Sequence, residues 1–241
     1  MSRIDHLLFF LLACLLILPA SAEEEAVPTR TIRILFLNAP QNAPTTAHLH
    51  DGTASREVQL PSMNLSPIYE VPAGLLNLRL LAQAVEDPKQ IPDKAPAALI
   101  PETMGDAYLL CISDPDNPIV PVRVEVVDAG KNTFRDGQMI WCNLTPFEIT
   151  GTLGNEKLKI TPQERVIMNA PLDESGSYLV SISYTIQGNE QVHPISETRW
   201  MHDPNTRQLV FVFTEAGRRL PRIQSFADFR PQSEKKPADK P

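Results

Sequence analysis

Prolines set the first limit on this chain. It carries 23 of them against 10 glycines in 241 residues. A proline lacks the amide donor a helix needs and clashes with the turn before it, so long helices are excluded wherever prolines fall closely. What remains between them is a series of short apolar segments, and most of these alternate. In "LLNLRLL" (75–81) Leu76, Leu78 and Leu80 fall on one face, the period of two that a strand requires. The same reading gives strands at 31–38, 45–50, 56–60, 67–71, 107–113 and 120–128. In the second half it gives strands at 138–144, 147–153, 156–160, 164–168, 177–186, 192–200 and 208–213. Residues 221–229 read as an edge strand or a short helix. Turn signals separate these segments: Asp51-Gly52, Pro72 to Gly74, Gly154-Asn155, Gly188-Asn189 and Asp203-Pro204-Asn205. Strands every 8 to 15 residues without a convincing helix imply an all-β chain built as sandwiches or barrels.

One stretch breaks the pattern. Residues 83–105 hold four prolines and several charges, and read as a long Pro-rich surface loop. The ends also differ from the body. An apolar run from Leu7 to Leu18 follows Arg3 and precedes Ala20-Ser21-Ala22. The run is too short to span a bilayer, and small residues stand where a signal peptidase reads, so residues 1–22 are expected to be a cleaved signal peptide. The alternative is a lipoprotein box at Leu11-Leu12-Ala13-Cys14, which would tether the chain through Cys14. Continuation of the apolar run past Cys14 argues for cleavage near Ala22 and a periplasmic or secreted protein. An acidic lead (23–30) then opens the mature chain, and a polar tail (231–241) without large apolar residues is expected to be disordered.

A repeat organises the body. "ILFLNAP" (34–40) resembles "IWCNLTP" (140–146), with the two asparagines 105 residues apart. After each comes a hairpin, "HLHDGTASREVQLP" beside "TGTLGNEKLKITP", then a further strand, turn and long strand. The spacing suits one Ig-sized sandwich. The expected plan is therefore two tandem Ig-like or prealbumin-like sandwich domains, at 31–130 and 137–230.

The first of these resembles a known family. "NAPQNAP" (38–44), "HLHDG" (48–52) and "VPAG" (71–74) fall where a group of exported bacterial β-sandwich domains has A-S-P-D-A-P, V-Y-V-D-G and L-P-A-G. The likeness covers about 31–82 and departs at Leu37, where that family often has histidine. The family's function is unassigned, so the resemblance implies a fold, export and a bacterial source, and brings no catalytic residue. The second half, "WCNLTPFEITGTLG", looks like exported β proteins as well.

Chemistry-bearing motifs are sparse. His48 and His50 would share a strand face and are the metal-ligand candidates, but a zinc site needs at least a third ligand. His193 and His202 lie in the other half of the chain. Cys111 and Cys142 are the cysteines left after cleavage, a disulfide candidate in an oxidising compartment, with two buried thiols as the alternative. "DPDNP" (114–118) lacks the glycine and distal glutamate of an EF-hand loop and reads as a turn. There is no Gly-x-Ser-x-Gly elbow, P-loop or dinucleotide fingerprint, so no cofactor is implied. Trp141 reads as core, and Trp200 as a partly exposed residue on which a sugar could stack. "GRRLPR" (217–222) reads as a solvated basic run. Asn64-Leu65-Ser66 and Asn143-Leu144-Thr145 fit the glycosylation sequon, with turn chemistry as the plainer reading. A net charge of −7 without a basic stretch excludes nucleic acid as the expected partner. The expectation is a non-catalytic envelope or extracellular module with a protein or surface partner. A carbohydrate- or metal-binding protein is the alternative, and a hydrolase the third reading.

Overall fold

The computed structural model describes residues 29–230 other than 187, 190 and 216. The expected signal peptide (1–22), Cys14, most of the acidic lead and the 231–241 tail lie outside the described residues. Thr29 and Arg30, assigned to the lead, belong to the first strand.

The chain is all-β. Its first half runs β1 (Thr29–Leu37), β2 (Thr46–His50), β3 (Ser55–Gln59), β4 (Tyr69–Pro72), β5 (Leu76–Leu81), β6 (Ala97–Ile100), β7 (Ala107–Ser113) and β8 (Val122–Asp128). Its second half runs β9 (Gln138–Asn143), β10 (Glu148–Leu153), β11 (Glu156–Ile160), β12 (Arg165–Asn169), β13 (Gly176–Thr185), β14 (Val192–His202), β15 (Arg207–Thr214) and β16 (Pro221–Asp228). Apart from a 3-10 turn at Pro88–Gln90, the described residues contain no helix. None is therefore long and apolar enough to cross a membrane.

These strands form four sheets of four. Sheet order β4-β1-β7-β8 in the first half is matched by β12-β9-β15-β16 in the second, and β3-β2-β5-β6 is matched by β11-β10-β13-β14. Every strand of one half thus has a counterpart in the other. Even the unusual pairings repeat: β1 runs parallel to β7, and β9 parallel to β15. Across the last hairpin of each half Tyr108 pairs with Val127 and Arg207 with Asp228; these pairs face the central core and are counterparts, whereas Ala107 and its partner Asp128 take the other face.

The sheets stack as four layers because the strands of the two inner sheets bury both faces. Along β1, Ile32, Ile34 and Phe36 point into a core shared with β2, β5 and β6, while Leu35 and Leu37 point the other way. On β7, Leu109 and Cys111 follow the first set, and Tyr108 and Leu110 the second. On β15, Leu209, Phe211 and Phe213 meet that second set, while Val210 and Val212 face the outer sheet of their own half with Trp141 and Val180. Continuous apolar runs such as "ILFL" and "LVFVF" are what two-sided burial demands. The central core (Leu35, Leu110, Ile140, Phe211 and their neighbours) is as dry as the cores within each half.

Residues 83–105 depart from the expected loop. They contain β6, which pairs with β5 from Leu76–Ile100 to Arg79–Ala97. Prolines 96 and 101 bracket this strand and do not interrupt it, and Ala98 and Ile100 are buried between exposed Ala97 and Leu99. The other strand prolines, Pro72, Pro194 and Pro221, all stand on edge strands, where a missing amide costs no ladder bond.

Candidate functional site

The most chemically distinctive place in the molecule is where the two halves meet. Asp228 ends β16 with its side chain fully buried, on the face turned toward the first half. Three arginines and a tyrosine converge on it. Arg207 reaches it from the paired strand β15, with Nε 3.1 Å from Oδ2. Arg33 arrives from β1, across the interface, and pairs with Oδ1. Arg230 donates from Nε at 3.0 Å. The Tyr108 hydroxyl, from β7, donates to Oδ2.

Each partner is anchored in turn. Arg207 is 1% exposed; its Nη1 donates to the Ala129 and Phe134 carbonyls at 2.7 and 3.0 Å, and its guanidinium lies 5.1 Å from the Phe134 ring centre and 5.7 Å from that of Tyr108. Ala129 and Phe134 belong to the connection between the halves, so this one arginine ties the linker to both of them. Arg230 also pairs with Asp106, at 2.7 Å. Burial alone would raise the Asp228 carboxyl, but the Tyr108 hydroxyl and the Arg207 and Arg230 charges outweigh it and hold the group at about 2. The Tyr108 phenol is pushed far up, first by burial and then by the adjacent carboxylate. Asp106 is held below its ordinary value: burial opposes this, and the Thr31 amide and hydroxyl with Arg230 prevail. These groups stay ionised or protonated through the physiological range, so the cluster fastens the halves and has no proton to exchange near neutrality.

Beside this hub opens a polar cleft of about 370 Å³, lined by Thr29, Arg30, Thr103, Asp106, Asp128 and the turn from Gly130 to Thr133. Gly105 and Gly130 pack against each other at its floor, a Cβ built on Gly105 lying 3.6 Å from the Gly130 Cα. Asp128 caps the turn, accepting from the Gly130 amide at 2.8 Å and the Thr133 hydroxyl at 2.9 Å. The hub and cleft residues were not singled out from sequence. Arg33 and Asp228 are 195 residues apart, and no local motif announces them.

The residues that were singled out lie elsewhere and apart from one another. His48 and His50 do share a face of β2, the one turned away from the core that takes Ala47 and Leu49. His50 is nevertheless fully buried, its Nδ1 accepting from the Gly52 amide at 2.9 Å. Opposite His48 stand Glu57 and Leu81; opposite His50, Ser55 and Arg79. Among the described residues no group of three or more His, Cys, Asp or Glu side chains is arranged to hold a metal ion. His193 stacks on Tyr184, and His202 lies buried at the end of β14. Asp51 closes the hairpin, its Oδ1 accepting from the Thr53 and Ala54 amides.

Cys111 and Cys142 are both free and buried, so the candidate disulfide is not formed. Strand alternation explains this. Cys111 faces the core of the first half, whereas Cys142 faces the central core, which leaves the β1–β7 sheet between them. Trp200 is partly exposed, and one face of its ring stacks on buried Trp141, with ring centres 5.6 Å apart and planes 4° from parallel. Asn143 is closed to modification in the folded chain. It is fully buried, with its amide donating to the Phe147 and Thr161 carbonyls, while Asn64 is exposed. In the basic run, Arg218 and Arg222 both pair with Glu215. No family model matches the chain, and no curated protein matches it.

Proposed function

We propose that this chain is an exported, non-catalytic protein of the bacterial envelope or exterior, two tandem Ig-like or prealbumin-like sandwiches that act as one interaction module. The observation that carries the reading is the fusion of the halves. A continuous apolar core lies between the inner sheets, and a buried carboxylate there is gripped from β1, β7, β15 and the end of β16. Such a junction suppresses hinge motion between the halves, which suits a protein that presents surfaces at a fixed distance and orientation. An enzyme of two domains commonly places its cleft where they move. Here the titratable groups at the junction are spent on each other.

Export rests on the amino-terminal sequence, and is tested by the native protein's own terminus. Intact-mass measurement of the chain from its source cells should give a protein beginning at Glu23, recovered outside the cytoplasm. A lipidated terminus at Cys14 would replace free secretion with anchoring. An intact chain beginning at Met1 in the cytoplasmic fraction would overturn the reading.

A further inference from the structure

We propose that the chain pairs with a second copy of itself along the free edge of β14, antiparallel and centred on Thr198. β14 is the longest edge strand of the four sheets. An open sheet edge invites pairing, and natural edges are blunted by proline, bulges or charge. The first part of β14 carries Pro194 and the register irregularity opposite Ile182 and Ser183. From Ser196 to His202 it carries neither, and it pairs with β13 without a break. The ladder shows which backbone groups of that stretch are open. The Gly154 amide donates to the Leu179 carbonyl at 2.7 Å, so Leu179 turns its backbone groups toward β10. Backbone groups of successive residues point to opposite sides of a strand, so Val180 and its partner Thr198 turn theirs toward each other. Glu197 and Arg199 therefore turn theirs to the free edge. Their side chains are exposed, lie on the outward face of the sheet, and form no ion pair among the described residues.

Charge selects both the occupant and the register. In a continuous sheet opposed residues share a face, so a two-fold pairing of this strand is centred on a residue. A centre at Glu197 sets that carboxylate against itself, and a centre at Arg199 sets two guanidinium groups together. Like charges directly opposite destabilise a strand pair, and opposite charges stabilise it. Centred on Thr198, Glu197 of each copy faces Arg199 of the other, and the two residues exchange both backbone hydrogen bonds. The edge is thus complementary to itself in that register. Leu179 and Met201, 57% and 67% exposed, flank Arg199 on the same face and give the seam an apolar margin. The result is one sheet of eight strands running through both copies. This edge belongs to an outer sheet, apart from the junction between the halves, and its pairing does not depend on export.

Sedimentation velocity of the protein purified from its source cells should show a dimer that dissociates on dilution. Glu197→Arg and Arg199→Glu should each weaken it about tenfold, since each sets like charges opposite one another. The double variant exchanges the two charges and should restore the parent's affinity. All three changes are at exposed edge positions, and the far-ultraviolet circular dichroism of the variants should match the parent's. The register has its own readout. Thr198 meets its own mate as a non-hydrogen-bonded pair, with Cα atoms about 4.5 Å apart, within disulfide reach. Thr198→Cys should therefore give a covalent dimer with oxidised glutathione, and Arg199→Cys, which faces Glu197, should not. A protein still monomeric at about 1 mM, single variants that dimerise as the parent does, or a double variant as weak as the singles would each overturn the proposal. So would a Thr198→Cys protein that oxidation leaves unlinked.

Discussion

Asp128 and Asp228 end the matching last strands of the two halves, on opposite faces, and they do different work. Asp128 ends β8, pairs across the hairpin with Ala107, and caps the linker turn at the surface. Asp228 ends β16, pairs with Arg207, and sits buried among three guanidinium groups. Tyr108 against Arg207 is the telling exchange, with Val127 against Asp228 across each hairpin. The first hairpin turns a phenol and an apolar side chain to the central core, and the second turns there a guanidinium that reaches the linker and a carboxylate that reaches the other half. The halves share a topology, but the machinery that joins them is concentrated in the second.

Replacing the two aspartates measures that asymmetry directly. Asp228→Ala strips the counter-charge from buried Arg207 and from Arg33 and Arg230, and breaking a buried ion pair in this way costs about 3–5 kcal/mol. Asp128→Ala loses two hydrogen bonds at a solvated turn and should cost about 1 kcal/mol. Urea midpoints of the two variants against the parent check both. Equal losses would break the comparison.

A second difference lies in how each half packs its outer sheet. The inward positions of β2 are Ala47 and Leu49, and those of β10 are Ile149, Gly151 and Leu153. At Gly151 an added Cβ would meet the Ser181 carbonyl oxygen at 2.2 Å and the Ile182 Cδ1 at 2.7 Å. Backbone stands in the way, so relief requires the β10–β13 pair to part. Gly151→Ala should therefore destabilise the chain by about 1–3 kcal/mol. Gly52→Ala, at a turn with φ of +100° and open space around it, tests strain without a clash. If Gly151→Ala costs no more than Gly52→Ala, the close approach is not what fixes the glycine.

Acid should act through the second half as well. The Asp228 carboxyl titrates at about 2 in the folded chain, below the ordinary value of about 3.9. A depressed folded value contributes stability that is complete above about pH 4 and is lost as pH falls toward 2. Unfolding midpoints of the parent should drop across that interval. Asp228→Asn, already lacking the charge, should show a flatter acid limb, and parallel limbs would sink the assignment.

Most of the strands were legible in sequence because one-sided burial writes a period of two, as in β5 and β13. β6 was hidden: four residues are too few to establish alternation, and the prolines at 96 and 101 read as loop although they only frame it. The hub was hidden for a deeper reason. Arg33 and Arg207 stand at alternate positions of their strands, the signature of a face turned to water. Nothing in a strand's own pattern tells a face covered by water from one covered by another sheet. The uninterrupted runs "ILFL" and "LVFVF" did carry a sign of two-sided burial, but not of what covers the second side. The histidines were legible as a pair on one face, and the covering of His50 was not.

The smallest expected effect concerns the two thiols, and it asks whether the halves come apart before they unfold. Burial raises both, to about 12. At pH 8 only about one thiol in ten thousand is then ionised, and neither sulfur meets solvent. Native protein should therefore leave Ellman's reagent essentially unreacted, and denatured protein should give both thiols. Their positions make low denaturant informative. Cys111 lies inside the first half, whereas Cys142 lies in the core between the halves. Separation of intact halves would expose Cys142 alone, and global unfolding would expose both together. Since the central core and the buried Asp228 cluster oppose separation, the two should label at equal rates below the unfolding midpoint, read by mass spectrometry of the alkylated peptides. Earlier labelling of Cys142 would show the junction to be the weakest layer of the stack. In Asp228→Ala that order should appear: with the hub gone, Cys142 should become the faster of the two.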